Sequence, residues 1–493
     1  MDEPNLTEAI EVGTSRRILR NTAYRAVADV GSKLVSIVLY VVMARRLGQS
    51  QFGVFTFGLA FVTLVSALGE LGQDQILVRE VARDRRKLSS YFGNTLALRV
   101  AVTLPVLIVV LAIGAAIGFD GRKLLVVAFL GAGVIVELGI STVIGSFQAF
   151  ERLEFAPLVL ITQRVLTTAV AVIAIAFGAD VVAVALIYLG SALLAFFVGL
   201  ALLRSKVVRP KADIDVRRWW PLMRAALPLG IAGISATILF RIDTVMLQAY
   251  KPDAVVGAYG AAYRLFETTL FLSWSVGAAI YPVMSRLTRT TDPPVALVFE
   301  RGLKLAIALT LPLAVGAAVL ANGVLATLYG NEFLDAAPAL RLLAPAIATF
   351  PFAFIAGQLL VSQDRQAAMT ITYLVVTVEN IALNLYLIPR FSLDGAAFGT
   401  SLSEVLVVTG LLAFCFARIG RIAWGRAFAG PVVASALAGA AMFLLRDRFL
   451  PAAAAGALVY GAALLAVERL AFPGEFTALL GLVRREERVP PAS

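Results

Sequence analysis

The sequence predicts an all-α integral membrane protein with about fourteen transmembrane helices. Of its 493 residues, 60% are hydrophobic and 15% are charged, whereas soluble globular chains are about 45 to 50% apolar and about 25% charged. Fourteen runs are continuously apolar over close to the roughly 20 residues that a spanning helix needs. Strands of a membrane barrel would alternate polar and apolar residues, so these runs favour helices.

The first half of the chain supplies six of these runs. Residues 1–25 are polar and are expected to form a cytoplasmic N-terminal segment, because the first apolar run lies too deep for a cleaved signal peptide. Residues 26–203 contain the six runs, which we assign to an N-lobe. Residues 204–224 form a linker rich in lysine and arginine, with Trp219 and Trp220, a residue type typical of membrane interfaces.

The second half repeats this pattern and extends it. Residues 225–417 contain six further runs, assigned to a C-lobe, residues 418–470 contain two more, and residues 471–493 form a polar tail. Most of the 43 lysine and arginine residues of the chain fall in connections on the side of the N-terminus. Because positive connections are retained in the cytoplasm, both termini are predicted to be cytoplasmic, in a multi-pass protein of the plasma membrane.

A short internal repeat relates the predicted lobes. The first helix ends Met43-Ala-Arg-Arg-Leu-Gly-Gln-Ser-Gln-Phe and the second opens at Gly53-Val-Phe; about 204 residues later, with one gap, the eighth helix opens at Gly257-Ala-Tyr. Short apolar strings also match by chance, but here the position within each half matches too. Two units of six helices enter from the same side, which predicts a pseudo-two-fold axis along the membrane normal, as in transporters with parallel repeats.

The composition excludes several classes of chemistry. The chain has no histidine and one cysteine, Cys415, which excludes Ser-His-Asp and Cys-His catalysis, His-ligated metals and an intramolecular disulfide. We expect no cofactor and no enzymatic activity. The net charge of +11 could indicate nucleic acid, but in a membrane protein basic residues set topology and contact anionic membrane lipids, so we expect those lipids and no nucleic acid as partners.

Ionisable side chains inside the apolar runs indicate where the site lies, because each costs about 2.5 to 3.5 kcal/mol at a helix centre unless it faces a partner or water. Asp29 with Lys33 and Arg264 with Glu267 have the spacing of local pairs. These ionisable residues within the apolar runs are Asp29, Lys33, Arg99, Glu137, Arg164, Arg241, Asp243, Arg264, Glu267, Arg341, Glu379 and Glu404.

Other members of this set need partners beyond their own helix turn. Arg241 and Asp243 are two residues apart and point in different directions, so each requires another helix or a ligand. Arg99 and Arg164 have no acid one turn away and either snorkel to the membrane surface or contact a substrate. Glu379 shares a polar stripe with two asparagines, which suits helix packing or a ligand.

Several motifs in this order resemble those of the Wzx-type polysaccharide flippases, over about residues 15 to 420. They are Ala44-Arg-Arg-Leu-Gly-Gln-Ser-Gln-Phe-Gly-Val-Phe with Leu71-Gly-Gln and Val78-Arg-Glu, Phe147-Gln-Ala-Phe-Glu-Arg, Arg241-Ile-Asp-Thr-Val-Met-Leu followed by Val256-Gly-Ala-Tyr-Gly-Ala-Ala-Tyr, and Asn384-Leu-Tyr-Leu-Ile-Pro-Arg with Gly395-Ala-Ala-Phe-Gly-Thr-Ser-Leu-Ser-Glu. The resemblance places the chain in the multidrug/oligosaccharidyl-lipid/polysaccharide superfamily. It implies two six-helix lobes, two additional helices, and outward flipping of a polyprenyl-diphosphate-linked oligosaccharide, with a glycan polymerase or glycosyltransferases as candidate partners.

The resemblance also suggests site residues. Related lipid II flippases have a cationic cavity for the diphosphate, which makes Lys33, Arg241 and Arg264 candidate substrate contacts. Arg99 and Arg164 are further candidates. Asp29, Asp243 and Glu379 are candidates for coupling transport to protons or Na⁺.

Three other functions are weighed against this one. An ion-coupled drug or metabolite antiporter of the same superfamily would have a compact acidic site without arginines in its cavity. A membrane enzyme acting on lipid-linked sugars would need a large external loop or paired carboxylates beside a groove, and the sequence has neither feature. A scaffold without transport activity would have little reason to place twelve ionisable residues in its helices.

Overall fold

The structure, a computed structural model, describes residues 6–211, 213–287, 294–419 and 424–471, with side chains from residue 35 onward apart from a few positions. Every regular element in these ranges is a helix. The all-α prediction is therefore confirmed. The α-helices are α1 Leu6–Glu70, α2 Gln73–Arg83, α3 Leu88–Ala116, α4 Gly121–Ala149, α5 Ala156–Ala176, α6 Val181–Lys206, α7 Trp219–Tyr250, α8 Asp253–Leu287, α9 Pro294–Val319, α10 Ala321–Leu328, α11 Ala337–Ser362, α12 Gln366–Ile419, α13 Trp424–Leu444 and α14 Phe449–Ala471.

Two of these helices are long enough to cross a membrane twice. Helix α1 has 65 residues and α12 has 54, whereas about 20 residues span the roughly 30 Å hydrocarbon core. Non-helical backbone interrupts each one, at Gly48 (φ 75°) in α1 and at Ser392 (φ 56°) in α12. Positive φ is easily adopted by glycine, so Gly48 suits the junction between the first two predicted crossings.

The described helices account for the predicted number of crossings. Helices α1 and α12 supply two each, and α3 to α9, α11, α13 and α14 supply one each. Ten stretches among the described residues are long and apolar enough to span by themselves. Two of these stretches, in α1 and α12, cross twice, and helices α8 and α13 bring the number of crossings to fourteen. Helix α8 is polar in part because it carries Arg264 and Glu267.

The sequence patterns missed two short helices, α2 and α10, and the start of α1. Helix α2 is amphipathic and buries Ile76, Leu77 and Val81, so no continuous apolar run indicated it. Helix α1 begins at Leu6, well before the apolar run that starts near residue 26.

The chain divides into two compact units. Unit 1 comprises Met1–Ala261 and Tyr373–Ala396, and unit 2 comprises Ala262–Thr372 and Ala397–Ser493. Unit 1 thus includes α7, the start of α8 and a central part of α12 in addition to the N-terminal helices. Because these bounds differ from the predicted lobes at 26–203 and 225–417, the lobe bounds stay a prediction.

Packing within unit 1 centres on α4, which contacts α6, α1 and α3. Val143, Phe147 and Val159 are fully buried in a cluster between α4 and its neighbours. In unit 2, α9 packs against α11 and α13, and α13 packs against α14. An ion pair of 2.7 Å between Lys304 and Glu468 also joins α9 to α14. Charged pairs of this kind remove the cost of a lone ion in apolar surroundings.

Candidate functional site

A buried polar cluster in unit 1 is centred on Asp243, which the i,i+2 spacing from Arg241 had marked as needing a partner on another helix. The Asn384 amide of α12 donates to Asp243 Oδ1 at 2.6 Å. The Tyr259 hydroxyl of α8 donates to Asp243 Oδ2 at 3.3 Å. Three helices, α7, α8 and α12, therefore converge on one carboxylate, and all three of these side chains are buried.

One amide oxygen of α12 in this cluster, Asn384 Oδ1, accepts no hydrogen bond from the described residues. Asn384 Nδ2 also donates to Asn380 Oδ1 at 3.1 Å, one helical turn away. Asn384 Oδ1 is buried and accepts no hydrogen bond from any described residue. Such an oxygen normally has a partner, since leaving a buried acceptor unmet costs about 1 to 3 kcal/mol. We call Asp243, Tyr259, Asn380 and Asn384 the Asp243 cluster.

The chemistry of the Asp243 cluster suits a small hard cation. Its carboxylate, amide and phenol groups offer oxygen atoms and no nitrogen or sulfur acceptor. No group of three His, Cys, Asp or Glu residues suited to a metal ion occurs among the described residues. One carboxylate with neutral oxygens matches a single positive charge better than a divalent or transition metal.

The other two predicted ion-coupling residues, Glu379 and Asp29, lie on α12 and α1. Glu379 precedes Asn380 on α12 and is partly exposed, with a contact of its own. Asp29 lies in α1, as does the predicted substrate contact Lys33, but the side chains of both lie outside the described part of the structure.

The two arginines carried over from the family occur in different units. Arg241 is on α7 in unit 1 and is partly exposed. Arg264 is on α8 in unit 2, where its Nη1 lies 2.6 Å from Glu267 Oε2 with both side chains largely buried. The local pair that their i,i+3 spacing allowed is therefore formed.

Arg164 lines a cavity of about 290 Å³ between α4 and α5 in unit 1. Its guanidinium is 3.9 Å from Glu137, with 40% of the side chain exposed, and Gln163 donates to the same carboxylate. Ser141 adds a hydroxyl to the wall. Arginine, glutamate, glutamine and serine offer both donors and acceptors, a combination able to bind polyhydroxylated ligands.

Arg99 occupies a different environment from the one expected. It has no exposed surface. Its guanidinium lies 2.9 Å from Asp74 and donates to the Leu138 carbonyl at 2.5 Å and to the Thr142 hydroxyl at 2.6 Å. It neither snorkels to the membrane surface nor has a face on which to bind a substrate here. Its bonds instead join α2, α3 and α4.

Sequence reasoning missed two contributors because their partners lie on other helices. Asp74 lies at the start of α2, outside any apolar run, and also accepts a hydrogen bond from Ser141. Tyr259 appeared only as part of a repeat motif. The motif that begins at Asn384 resembles the family's sequence, and it was the one sequence signal that pointed to the amide that donates to Asp243.

Comparison with known proteins identifies the family. The sequence matches the family described as polysaccharide biosynthesis protein over residues 18–288, more than half of the chain. The chain belongs to this family. A second family, MatE, matches residues 228–386 of the chain. The predicted superfamily is thereby confirmed.

Curated relatives and solved structures agree with that assignment. The chain is 24% identical over 403 residues to the probable flippase AglR of Haloferax volcanii, covering 79% of this chain and 82% of the relative. It is 24% identical over 366 residues to the probable low-salt glycan biosynthesis flippase Agl15 of the same organism, covering 73% and 75%.

Two solved structures share its fold. The lipid II flippase MurJ in an inward closed conformation gives a TM-score of 0.75 at 14% identity, covering 90% of this chain and 98% of that one. An inward-facing multidrug resistance MATE family transporter gives 0.66 at 16% identity, covering 78% and 94%. At these identities the likeness concerns the fold.

Proposed function

We propose that the protein transports a polyprenyl-diphosphate-linked oligosaccharide from the cytoplasmic to the external leaflet of the plasma membrane by alternating access. The observation that carries the proposal is membership of the polysaccharide biosynthesis family, supported by two relatives named as flippases over most of their length. Glycosyltransferases would assemble the oligosaccharide before this step, or a glycan polymerase would use it afterwards. The chain itself acts as a transporter without catalysis.

Arginines within the helices suit the substrate's charged part. A diphosphate cannot enter hydrocarbon unaided, but guanidinium groups offer it bidentate, charge-assisted hydrogen bonds while the prenyl chain stays in lipid. We assign this role to Arg241, Arg264 and Lys33. Arg164 we assign to the saccharide, because it lines the cavity of about 290 Å³ with Glu137 and Gln163. Arg99 is omitted because its side chain is fully buried and is paired with Asp74 inside unit 1.

The Asp243 cluster is proposed as the site of ion coupling. Its support is the buried Asn384 oxygen that accepts no hydrogen bond from the described residues, beside a carboxylate held by a second helix. A bound Na⁺ would complete the coordination of that oxygen, whereas a proton on Asp243 would turn the carboxyl into a donor. Glu379 and Asp29 are retained as further candidates.

The competing function is an ion-coupled drug or metabolite antiporter, and the match to MatE over residues 228–386 is what favours it. That match covers less of the chain than the polysaccharide biosynthesis match. The curated relatives named as flippases also favour lipid-linked glycans.

Reconstitution distinguishes these functions. Proteoliposomes loaded with a fluorescent lipid-linked oligosaccharide should show protein-dependent loss of label to a membrane-impermeant quencher, and Arg241→Ala or Arg264→Ala should abolish it at equal reconstitution. Arg122→Ala, which removes an exposed arginine outside the proposed contacts, is the matched control. Transport of cationic drugs with no movement of the lipid would overturn the proposal.

Orientation is tested separately in cells. Single cysteines at Asp120 and Lys251 should react with an impermeant maleimide from outside, whereas one at Arg209 should not. External labelling at Arg209 would contradict the proposed topology.

A further inference from the structure

A second cavity in unit 1, of about 580 Å³, lies between α2, the start of α3 and the start of α7. Four basic side chains line it, Arg79, Lys87, Arg217 and Arg218, with the single acid Glu80. We call it the basic cavity. None of these residues belongs to the proposed transport site.

The acids near the basic cavity do not balance its positive charge. Glu80 is shared by Arg79 at 3.1 Å and Lys87 at 3.8 Å, and also by Arg83 outside the cavity. Arg218 lies 3.5 Å from Asp215. The Arg217 side chain has no acidic partner among the described residues. An anion entering here would meet an excess of guanidinium and ammonium groups.

The wall formed by the linker is held firmly, so the basic cavity is formed before any ligand binds. Asn94, which is buried, donates to the Asp213 carbonyl at 2.9 Å. Its Oδ1 accepts from the Asp215 nitrogen at 2.8 Å and from the Trp219 indole at 3.1 Å. Arg218 also donates to Ser90 of α3. Pre-organisation of this kind lowers the entropic cost of binding.

The surroundings of the basic cavity are apolar on one side and exposed on the other. Ile76 and Leu222 line it and belong to a buried cluster beneath. Beside it, Trp220 is 70% exposed, and Ile214 and Val216 are also exposed. Exposed tryptophan and aliphatic side chains next to arginines are typical of the headgroup layer of a bilayer, where acyl chains lie within reach.

We propose that the basic cavity binds the phosphate headgroup of an anionic membrane phospholipid. Arg217 and Lys87 would contact the phosphate, and the apolar residues beside them would contact the upper acyl chain. Inorganic phosphate and the diphosphate of a prenyl lipid share this chemistry. The exposed apolar residues favour a phospholipid over the former, and the position outside the proposed transport site favours it over the latter.

Quenching of tryptophan fluorescence by brominated lipid tests the proposal. In the full-length protein carrying Trp274→Phe and Trp424→Phe, fluorescence comes from Trp219 and Trp220 beside the basic cavity. Titration of detergent micelles with brominated phosphatidylglycerol should quench at a lower lipid fraction than brominated phosphatidylcholine does. Lys87→Ala with Arg217→Ala should raise the half-quenching fraction for phosphatidylglycerol about thirtyfold, at about 1 kcal/mol for each basic residue.

A matched variant separates the cavity from general surface charge. Arg85→Ala with Arg86→Ala removes two positive charges from the same segment but none from the cavity lining, and should leave the titration nearly unchanged. Arg217→Lys, which keeps the charge, should retain most of the affinity. Gel filtration of each variant checks that it is folded. An equal shift in the Arg85/Arg86 variant, or no preference for phosphatidylglycerol in the parent protein, would overturn the proposal.

Competition identifies the source of the phosphate. Unlabelled phosphatidylglycerol should reverse the quenching, while inorganic phosphate at the same concentration should not. Reversal by inorganic phosphate as effectively as by phosphatidylglycerol, or more effective reversal by farnesyl diphosphate, would each overturn the phospholipid assignment.

Discussion

Gly53 of α1 and Gly257 of α8, the equivalent glycines of the internal repeat, lie directly against each other in unit 1. A Cβ atom added to Gly53 would come within 2.9 Å of the Gly257 nitrogen, and one added to Gly257 within 3.0 Å of the Gly53 nitrogen. The same two atoms would come within 1.8 Å of the Asp253 carbonyl and 2.1 Å of the Gln49 carbonyl, respectively. A reciprocal contact between repeat-equivalent residues is what a two-fold axis passing between them predicts.

Replacing either glycine should disturb this crossing. Gly53→Ala and Gly257→Ala each place a carbon inside the van der Waals distance of backbone that cannot move away alone, so α1 and α8 must separate. We expect a loss of about 1 to 3 kcal/mol in stability, measured by thermal unfolding in detergent. Gly190→Ala in α6, where an added Cβ meets no atom within 4 Å, is the control. Equal melting temperatures for all three variants and the parent would contradict the close crossing.

An ion pair beside the glycine contact joins α4 to the start of α8. Lys123 Nζ lies 2.5 Å from Asp253 Oδ1, with 11% and 25% of the two side chains exposed, and Gln248 donates to the same oxygen at 2.9 Å. Lys123→Ala should cost about 1.5 to 3 kcal/mol, the usual range for a hydrogen bond to a charged group. The exchanged variant, Lys123→Asp with Asp253→Lys, should recover part of it. A double-mutant cycle with no coupling between the positions would show that the pair does not contribute.

The buried Arg99 pair should contribute far more to stability than an exposed pair in the same unit. Arg99→Ala leaves Asp74, whose side chain is only 17% exposed, without its cation, and breaking a buried pair in this way costs about 3 to 5 kcal/mol. Arg122→Ala removes a 3.9 Å pair with Asp180 in which about half of each side chain is exposed, and should cost about 0 to 1 kcal/mol. Thermal unfolding of both variants measures the difference.

A double replacement tests whether the unpaired charge of Asp74 causes the loss of stability in Arg99→Ala. Arg99→Met with Asp74→Leu removes both charges, so it should be less destabilising than Arg99→Ala alone. If the double variant were as unstable as Arg99→Ala, the hydrogen bonds of Arg99 to Leu138 and Thr142 would account for the loss instead of the unpaired charge.

Local patterns predicted the helices and the near neighbours, whereas contacts remote in sequence required the fold. Continuous apolar runs indicated each membrane crossing because length and hydropathy are properties of the segment itself. The Arg264 to Glu267 pair followed from spacing alone. Asp243 and Asn384 are 141 residues apart, and the partner of Arg99 lies on an amphipathic helix without an apolar run, so no periodicity could have joined them.

The Asp243 cluster predicts a specific effect of Na⁺. An ion bound only by the folded protein stabilises it by about 2.7 kcal/mol at a hundred times its dissociation constant. The melting temperature should therefore be higher in sodium chloride than in choline chloride, and Asp243→Asn or Asn384→Leu should remove the difference. Glu137→Gln, an acidic residue of α4 outside the cluster, should keep it. A parent protein that melts equally in both salts would contradict the Na⁺ form of the proposal.

The proposed substrate carries charge, so membrane potential should drive its movement. With about two negative charges on the diphosphate moving outward from a negative interior, collapsing 100 mV removes roughly 4 to 5 kcal/mol, over a thousandfold in the equilibrium ratio between leaflets. Vesicles clamped with potassium and valinomycin, at equal pH and Na⁺ on both sides, measure this directly. Coupling at Asp243 would act differently, because an imposed ion gradient would then move the substrate at zero potential and Asp243→Asn would abolish that response. Flipping that followed the ion gradient and ignored the potential would rule out electrophoretic drive and assign the energy source to the Asp243 cluster.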